Sequence, residues 1–304
     1  MPFAITDDEV SLCYKVQGDG PAIVFAHEFA ADHTSWDAQV AHFSDRFKCI
    51  VYNARGYPPS TVPESVGSYS QSRAVKDLLA VMDHAGVDKA HIVGLSMGGF
   101  AALMMGLHHP NRCLSVCSAG IGYGAELDRR DKFREEAQAS AAFIRDNGVP
   151  AFADKYMSGP TRIPFLRLDR EAFNAFRDTM AGFSAVGLAN TQLGVQRERP
   201  SLYDLKAELS QYTVPALIVN GDEDWPCLAP GLMLKQVIPT AGLVIYPNCG
   251  HTINLERPKE LNQSLDQLFG QVEAGSWPRR DPASMIDSIT GMSPTNMNTN
   301  KSCE

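Results

Sequence analysis

The 304-residue chain has no apolar run approaching the roughly 18–20 residues that a bilayer-spanning helix needs. It has no surplus of positive charge either: 27 Lys and Arg stand against 35 Asp and Glu, a formal charge of −8. With that balance neither nucleic acid nor an acidic membrane surface is an expected partner. A disulfide framework is missing too. The seven cysteines are odd in number and scattered. Cys113 and Cys117 lie one helical turn apart with no matching His or Cys pair nearby, so buried reduced thiols are expected. There is no H-E-x-x-H, no P-loop and no dinucleotide fingerprint, so neither a metal nor an organic cofactor is implied. The opening MPFAITDDEV carries acids where a secretory signal would carry a basic end and an apolar core. A cytoplasmic protein is the expectation.

What remains is an ordinary globular composition, 44% apolar and 20% charged, long enough to bury a sizeable core. The first part alternates. IVFAH (23–27) and KCIVYN (48–53) read as buried strands, with a helix between them over 36–43 that Ser35 could cap. Residues 70–85 place Ala74, Leu78, Val81 and Met82 at helical spacing before Gly86. AHIVGL is a strand, 100–109 a helix stopped by Pro110, and LSVCSAG (114–120) another strand. Strand–helix alternation of this kind builds a mostly parallel sheet covered on both faces. The rhythm breaks over 125–200, which reads as helical throughout. It resumes with VPALIVNG (214–221), AGLVIYP (241–247) and a helix over 258–269. The polar end, including SPTNMNTNKSCE, is expected to be partly disordered, with Trp277 anchoring its first part.

Gly94-Leu95-Ser96-Met97-Gly98 fits G-x-S-x-G at a strand-to-helix turn. There a serine hydroxyl stands clear at the carboxyl edge of the sheet, and the free N–H groups of the following helix favour developing negative charge. A serine needs a base. His42, His84, His108 and His109 read as helix-surface or helix-end residues, and His91 opens a strand. His251, in NCGHTINLERP directly after LVIYP, sits on a loop able to reach Ser96. The base needs an acid, and IVNGDEDWPC supplies Asp222, Glu223 and Asp224. Asp224 is chosen because the chain must first turn away from the sheet; Asp222 is the alternative.

With AHEFAADHTSW, YNARGYPPS, GLSMGG, NGDEDWPC and GHTINLERP in this order, the chain resembles the α/β-hydrolase fold family over roughly residues 10–270, weakly in the middle. The resemblance implies an α/β core over 1–124 and 201–272, a helical cap over 125–200 and a tail over 273–304. It implies Ser96 as nucleophile, Asp224 as acid, His251 as base, and the backbone N–H groups of Met97 and Phe29 as the oxyanion hole. Glu28 departs from the family's usual glycine. It is expected to strain or alter its turn and to point away toward a base such as Arg55. In the cap, Phe165, Phe173, Phe176, Met180 and Phe183 offer an apolar lining, with Trp225 bounding the pocket, although several of these rings must pack cap helices together. Arg162 and Arg167 could meet a substrate carboxylate but are expected on the solvated surface. The segment from RGYPPS through GLSMGG is similar to enol-lactonases and simple carboxylesterases, so a small to medium ester or lactone with an apolar acyl part is the expected substrate. A carbon–carbon bond hydrolase, a perhydrolase or haloperoxidase-like activity, and a slow-turnover receptor are the alternatives. A homodimer through the cap or an edge strand stays open.

Overall fold

The computed structural model describes residues 1–285. Eight strands form one sheet in the order β1-β2-β4-β3-β5-β6-β7-β8: β1 (Phe3–Ile5), β2 (Ser11–Gln17), β3 (Ala22–Ala26), β4 (Lys48–Tyr52), β5 (Ala90–Leu95), β6 (Cys113–Ala119), β7 (Ala216–Gly221) and β8 (Ala241–Tyr246). From β4 through β8 every pairing is parallel. β1 and β2 add an antiparallel edge, which the motif reading did not include. Because side chains alternate along a strand, Val24 joins one core while Ile23 and Phe25 join the other.

On one face the core is closed by α2 (Gln71–His84), α3 (Met97–His108) and α9 (Trp225–Val237), with Leu78, Val81, Leu103 and Leu234 among the buried side chains. On the other face α1 (Asp37–Phe43) and α11 (Pro258–Glu273) contribute Phe43, Leu261, Leu265 and Phe269. Ser70 caps α2 by accepting from the Arg73 N–H at 3.0 Å. Ser35 does not cap the first helix. The chain enters α1 through a 3₁₀ turn whose cap is Asp32, and the Ser35 hydroxyl donates back to the Asp32 carbonyl. α9 escapes a pattern reading because WPCLAPGLMLKQV carries two prolines and a glycine. Pro226 falls in the first turn, where no donor is missed, and Gly231 lets the helix close on the Asn220 amide.

The segment between β6 and β7 is helical, as expected: α4 (Arg130–Met157), α5 (Ile163–Leu168), α6 (Arg170–Ala181) and α7 (Ala185–Thr191), continued by one π-helical stretch at Gln192–Gln196. α4 bends at Gly148 (φ 81°), two residues before Pro150. Its third core, including Phe152, Met157, Phe165 and Leu188, lies against Phe29, Tyr57 and Met97 of the sheet-edge loops. A one-turn α8 (Lys206–Leu209) leads back to β7, and a one-turn α10 (Ile253–Glu256) precedes α11. The first part of the tail is packed: Trp277 Nε1 donates to the Thr240 carbonyl at 2.8 Å, its ring lies on Gly242, and Arg280 donates to the last carbonyls of α9. The expected loose end falls on 286–304, outside the described residues. Among the described residues no helix is long and apolar enough to cross a membrane.

Candidate active site

Strand order reverses between β3 and β5, so the loops leaving their carboxyl ends diverge and open a crevice. The loop after β5 carries Ser96, and the loop after β3 carries Glu28 and Phe29. Ser96 holds φ 54° and ψ −112°, a conformation that L residues adopt only when their surroundings over-determine it. The neighbours do so. A Cβ on Gly94 would overlap the Gly98 carbonyl, one on Gly98 the Ala26 carbonyl, and one on Gly99 the Ile121 side chain. The Ser96 N–H donates to the Ala119 carbonyl at 2.8 Å, and its carbonyl starts α3 by accepting from Phe100 at 2.9 Å. The hydroxyl makes no capping bond.

His251 follows β8 and Asp224 follows β7. Nδ1 of the imidazole lies 2.7 Å from Asp224 Oδ2, with both residues buried. A carboxylate only accepts, so Nδ1 carries the proton and the Nε2 lone pair is left available. The ring lies over Gly120, whose added Cβ would sit 3.3 Å from Cε1. Gly120 follows Ala119, the residue that binds Ser96 N–H, so imidazole and serine flank one strand end. Burial pushes the Asp224 carboxyl up, but the imidazole beside it and hydrogen bonds from His251 and the Cys227 thiol outweigh that and hold it below the ordinary range. Tyr123 packs edge-on against the imidazole at 5.0 Å and donates to Asp224 Oδ1 at 3.3 Å. Asp222 does not meet the histidine; its Oδ1 accepts from the Cys249 N–H at 3.1 Å and fixes the turn before it. Asp224, Cys227 and His251 bring three donor atoms within 4.8 Å of one another. Burial, then the Asp224 charge, push the thiol far above its usual value, so it is a neutral S–H group rather than a thiolate ligand.

Glu256, inside GHTINLERP, was not singled out by sequence. Its carboxylate accepts from Gly250 N–H at 2.7 Å and Thr252 N–H at 2.9 Å, clamping both sides of His251. The loop after β3 is clamped in the same manner. His27 Nε2 accepts from Ala54 N–H at 3.0 Å, so Nδ1 is the protonated nitrogen and donates to the Glu28 carbonyl at 2.7 Å. That carbonyl also accepts from Ala31 N–H. In a trans peptide the N–H points opposite to the C=O, so the Phe29 N–H is directed away from His27. The next carbonyl, of Phe29, is held by the Tyr57 hydroxyl at 2.8 Å. Met97, first residue of α3, has no intrahelical acceptor for its own N–H.

Several expectations are corrected. Glu28 has no positive φ, so its turn carries no glycine-type strain. It does not pair with Arg55, whose guanidinium is held by Asp77 and Asp8 under the RGYPPS segment. It pairs with Arg162, which is not on the surface: Glu28 is 1% and Arg162 2% exposed. Arg167 is exposed and paired with Glu223. Trp225 lies on the surface. It is 74% exposed, because Asp224 turns inward at the start of α9 and a helix carries the next side chain about 100° round. Phe165, Phe173 and Phe176 are buried among themselves, with ring centroids 5.9 and 6.0 Å from Phe165, and Met180 is fully buried in the same core. Phe183, half-buried, packs on Tyr57 at 5.5 Å. The rings against Phe29 are Phe152 at 6.3 Å and Tyr156 at 5.7 Å. Behind the Ser96 turn, a cavity of about 30 Å³ bordered by His27, Tyr57, Met97 and Thr191 has room for one or two waters but not for a substrate.

A crevice at the strand-order reversal, a serine on the strained turn beside it and a carboxylate-held imidazole across it define the class: the chain belongs to the α/β-hydrolase fold family, whose model matches residues 21–258. Among its relatives is 3-oxoadipate enol-lactonase 2 of Acinetobacter baylyi, 26% identical over 268 residues, which span 87% of this chain and 95% of that one. The crystal structure of the enol-lactonase from Burkholderia xenovorans superposes with a TM-score of 0.78 at 25% identity, covering 88% of this chain and 100% of the other. A thermophilic esterase from Thermogutta terrifontis superposes with 0.77, also at 25%, covering 89% and 98%.

Proposed function

We propose that this chain is a hydrolase of carboxylic esters or lactones, of small to medium size and with an apolar acyl part, working through an acyl-enzyme on Ser96. The observation that carries the reading is the convergence of three loops: Ser96 on its strained turn, and the His251–Asp224 pair over the neighbouring strand end. The enol-lactonase and esterase relatives support the same bond class. Ser96 Oγ attacks the carbonyl carbon while His251 Nε2 takes its proton. The oxyanion is held by the N–H groups of Met97 and Phe29. The imidazolium, stabilised by Asp224, returns the proton to the leaving alkoxide. Water, deprotonated by the same Nε2, then releases the acid and restores Ser96. The bulk beside Phe29, from Phe152 and Tyr156, favours an apolar acyl group.

The test is a fluorophosphonate label with mapping of the modified residue, alongside turnover of neutral nitrophenyl esters and lactones. Label at Ser96 is expected, and Ser96→Ala or His251→Ala should lower kcat by about 10⁴-fold or more. Steady turnover by folded Ser96→Ala would refute the reading.

A further inference from the structure

Glu28 stands where the family's pattern has glycine, directly before the N–H assigned to the oxyanion. A bare carboxylate there would oppose the charge that develops on the substrate oxygen. The structure supplies an answer from the cap, 134 residues along the chain. Arg162 Nη1 donates to Glu28 Oε1 at 2.9 Å and Nη2 to Oε2, so the pairing is fork to fork. The same guanidinium donates to the Thr252 hydroxyl beside His251 and, at 3.3 Å, to the Tyr156 hydroxyl, and it lies over the Tyr156 and Phe176 rings. The carbonyl of Thr161 accepts the His251 N–H at 3.2 Å, so the cap meets the histidine loop through the residue before Arg162.

We propose that Arg162 is a positioning residue of the reaction, acting through Glu28: it cancels the charge of a buried carboxylate that would otherwise disfavour the oxyanion at Phe29. This rests on Ser96 acting as proposed above. The titratable groups facing Glu28 are Arg162 and Tyr156 from the cap, His251 from its loop, and His27 and Tyr57 from the core. Of these, only arginine is a permanent cation. His27 is neutral, because its Nε2 accepts a hydrogen bond and burial lowers its pKa. Burial pushes the Glu28 carboxyl up, and the Arg162 guanidinium outweighs it and holds the carboxyl below its usual value. Without the guanidinium, burial is left to act, and Glu28 takes up a proton at a higher pH. Turnover should then be higher where Glu28 is neutral and fall as pH rises and it ionises.

The experiment compares kcat against pH for wild type, Arg162→Met and the charge-free pair Glu28→Gln/Arg162→Met on a neutral nitrophenyl ester. Infrared spectra of the same proteins report a protonated-carboxyl stretch without requiring turnover. Arg162→Met should lose about 10²-fold in kcat at alkaline pH, comparable to the loss of one oxyanion donor, and the double variant should recover about tenfold or more of it. A carboxyl stretch additional to that of wild type at the same pH should appear in Arg162→Met and be missing from the double variant. Superimposable pH profiles for wild type and Arg162→Met, or a folded double variant no faster than the single one, would overturn the proposal. If Arg162→Met does not fold, the double variant decides: folded and turning over supports the proposal, folded and inactive overturns it. A wild type that neither labels at Ser96 nor hydrolyses the ester signals failure of the Ser96 reading instead.

Discussion

At the residue scale, the turn that carries Ser96 depends on side chains that are absent. GLSMGG is small because the carbonyls of Gly98, Ala26, His27 and Ala119 and the side chain of Ile121 occupy the places its Cβ atoms would take. Gly98→Ala is the sharpest test. The new methyl would overlap the Ala26 carbonyl, and neither β3 nor α3 can retreat without disturbing Ser96 or the loop after β3. Overpacking of this kind costs roughly 1–3 kcal/mol or more, so a lower thermal midpoint together with a loss of fluorophosphonate reactivity is expected. Unchanged reactivity in folded Gly98→Ala would show that the turn has slack. The histidine and its acid were legible because each directly follows an apolar strand; Asp224 was separable from Asp222 by the need to turn first. Glu256, Tyr123 and His27 were not singled out. Each acts by hydrogen-bonding or ring contact within the site, and a residue type alone does not show such a bond.

At the element scale, the packing of β5 and β6 against α11 encloses His91. Its Nδ1 is 2.7 Å from the Ser115 hydroxyl, its ring lies 4.2 Å from that of Phe269, and Nε2 has no partner. Burial lowers its pKa from 6.5 to about 4. The unfolded chain therefore binds this proton at higher pH than the folded one. The contribution to stability is present above pH 6.5 and is lost as pH falls toward 4. A shift of this size corresponds to on the order of 3 kcal/mol. Urea midpoints for His91→Leu should accordingly vary less between pH 6.5 and 4 than those of wild type. Parallel pH dependence in the two proteins would count against the burial argument. The sequence marked His91 only as the first polar residue of a strand, because its partners come from β6 and α11.

At the scale of the whole molecule, the helical segment between β6 and β7 is seated on the sheet edge by close backbone approach as well as by side chains. A Cβ on Gly187 of α7 would overlap the Gly56 carbonyl, and one on Gly194 the Tyr69 carbonyl. Asn190 adds hydrogen bonds to the carbonyls of Pro63 and Glu64. Gly187→Val should lift α7 away from the RGYPPS loop while leaving the sheet cores intact. The expected result is faster proteolysis within 125–200 with little change in the far-ultraviolet spectrum. Cleavage at the wild-type rate would indicate that the approach at Gly56 is not what seats this segment. At the other end of the sheet, Trp277 and Arg280 tie the start of the tail to β8 and the end of α9.

The sequence by itself determined the alternation of strands and helices, the turn that carries Ser96, the helical character of the insertion and the strand ends that bear Asp224 and His251. These are local matters of apolar periodicity, small residues and position after a strand. Only the tertiary structure decided that Glu28 meets Arg162, that Trp225 faces water, that Phe165, Phe173 and Phe176 meet one another, and that β1 and β2 extend the sheet. Each of these depends on which distant segment comes to lie alongside. That is fixed when apolar faces bury against one another across the whole chain, and no window of neighbouring residues contains it.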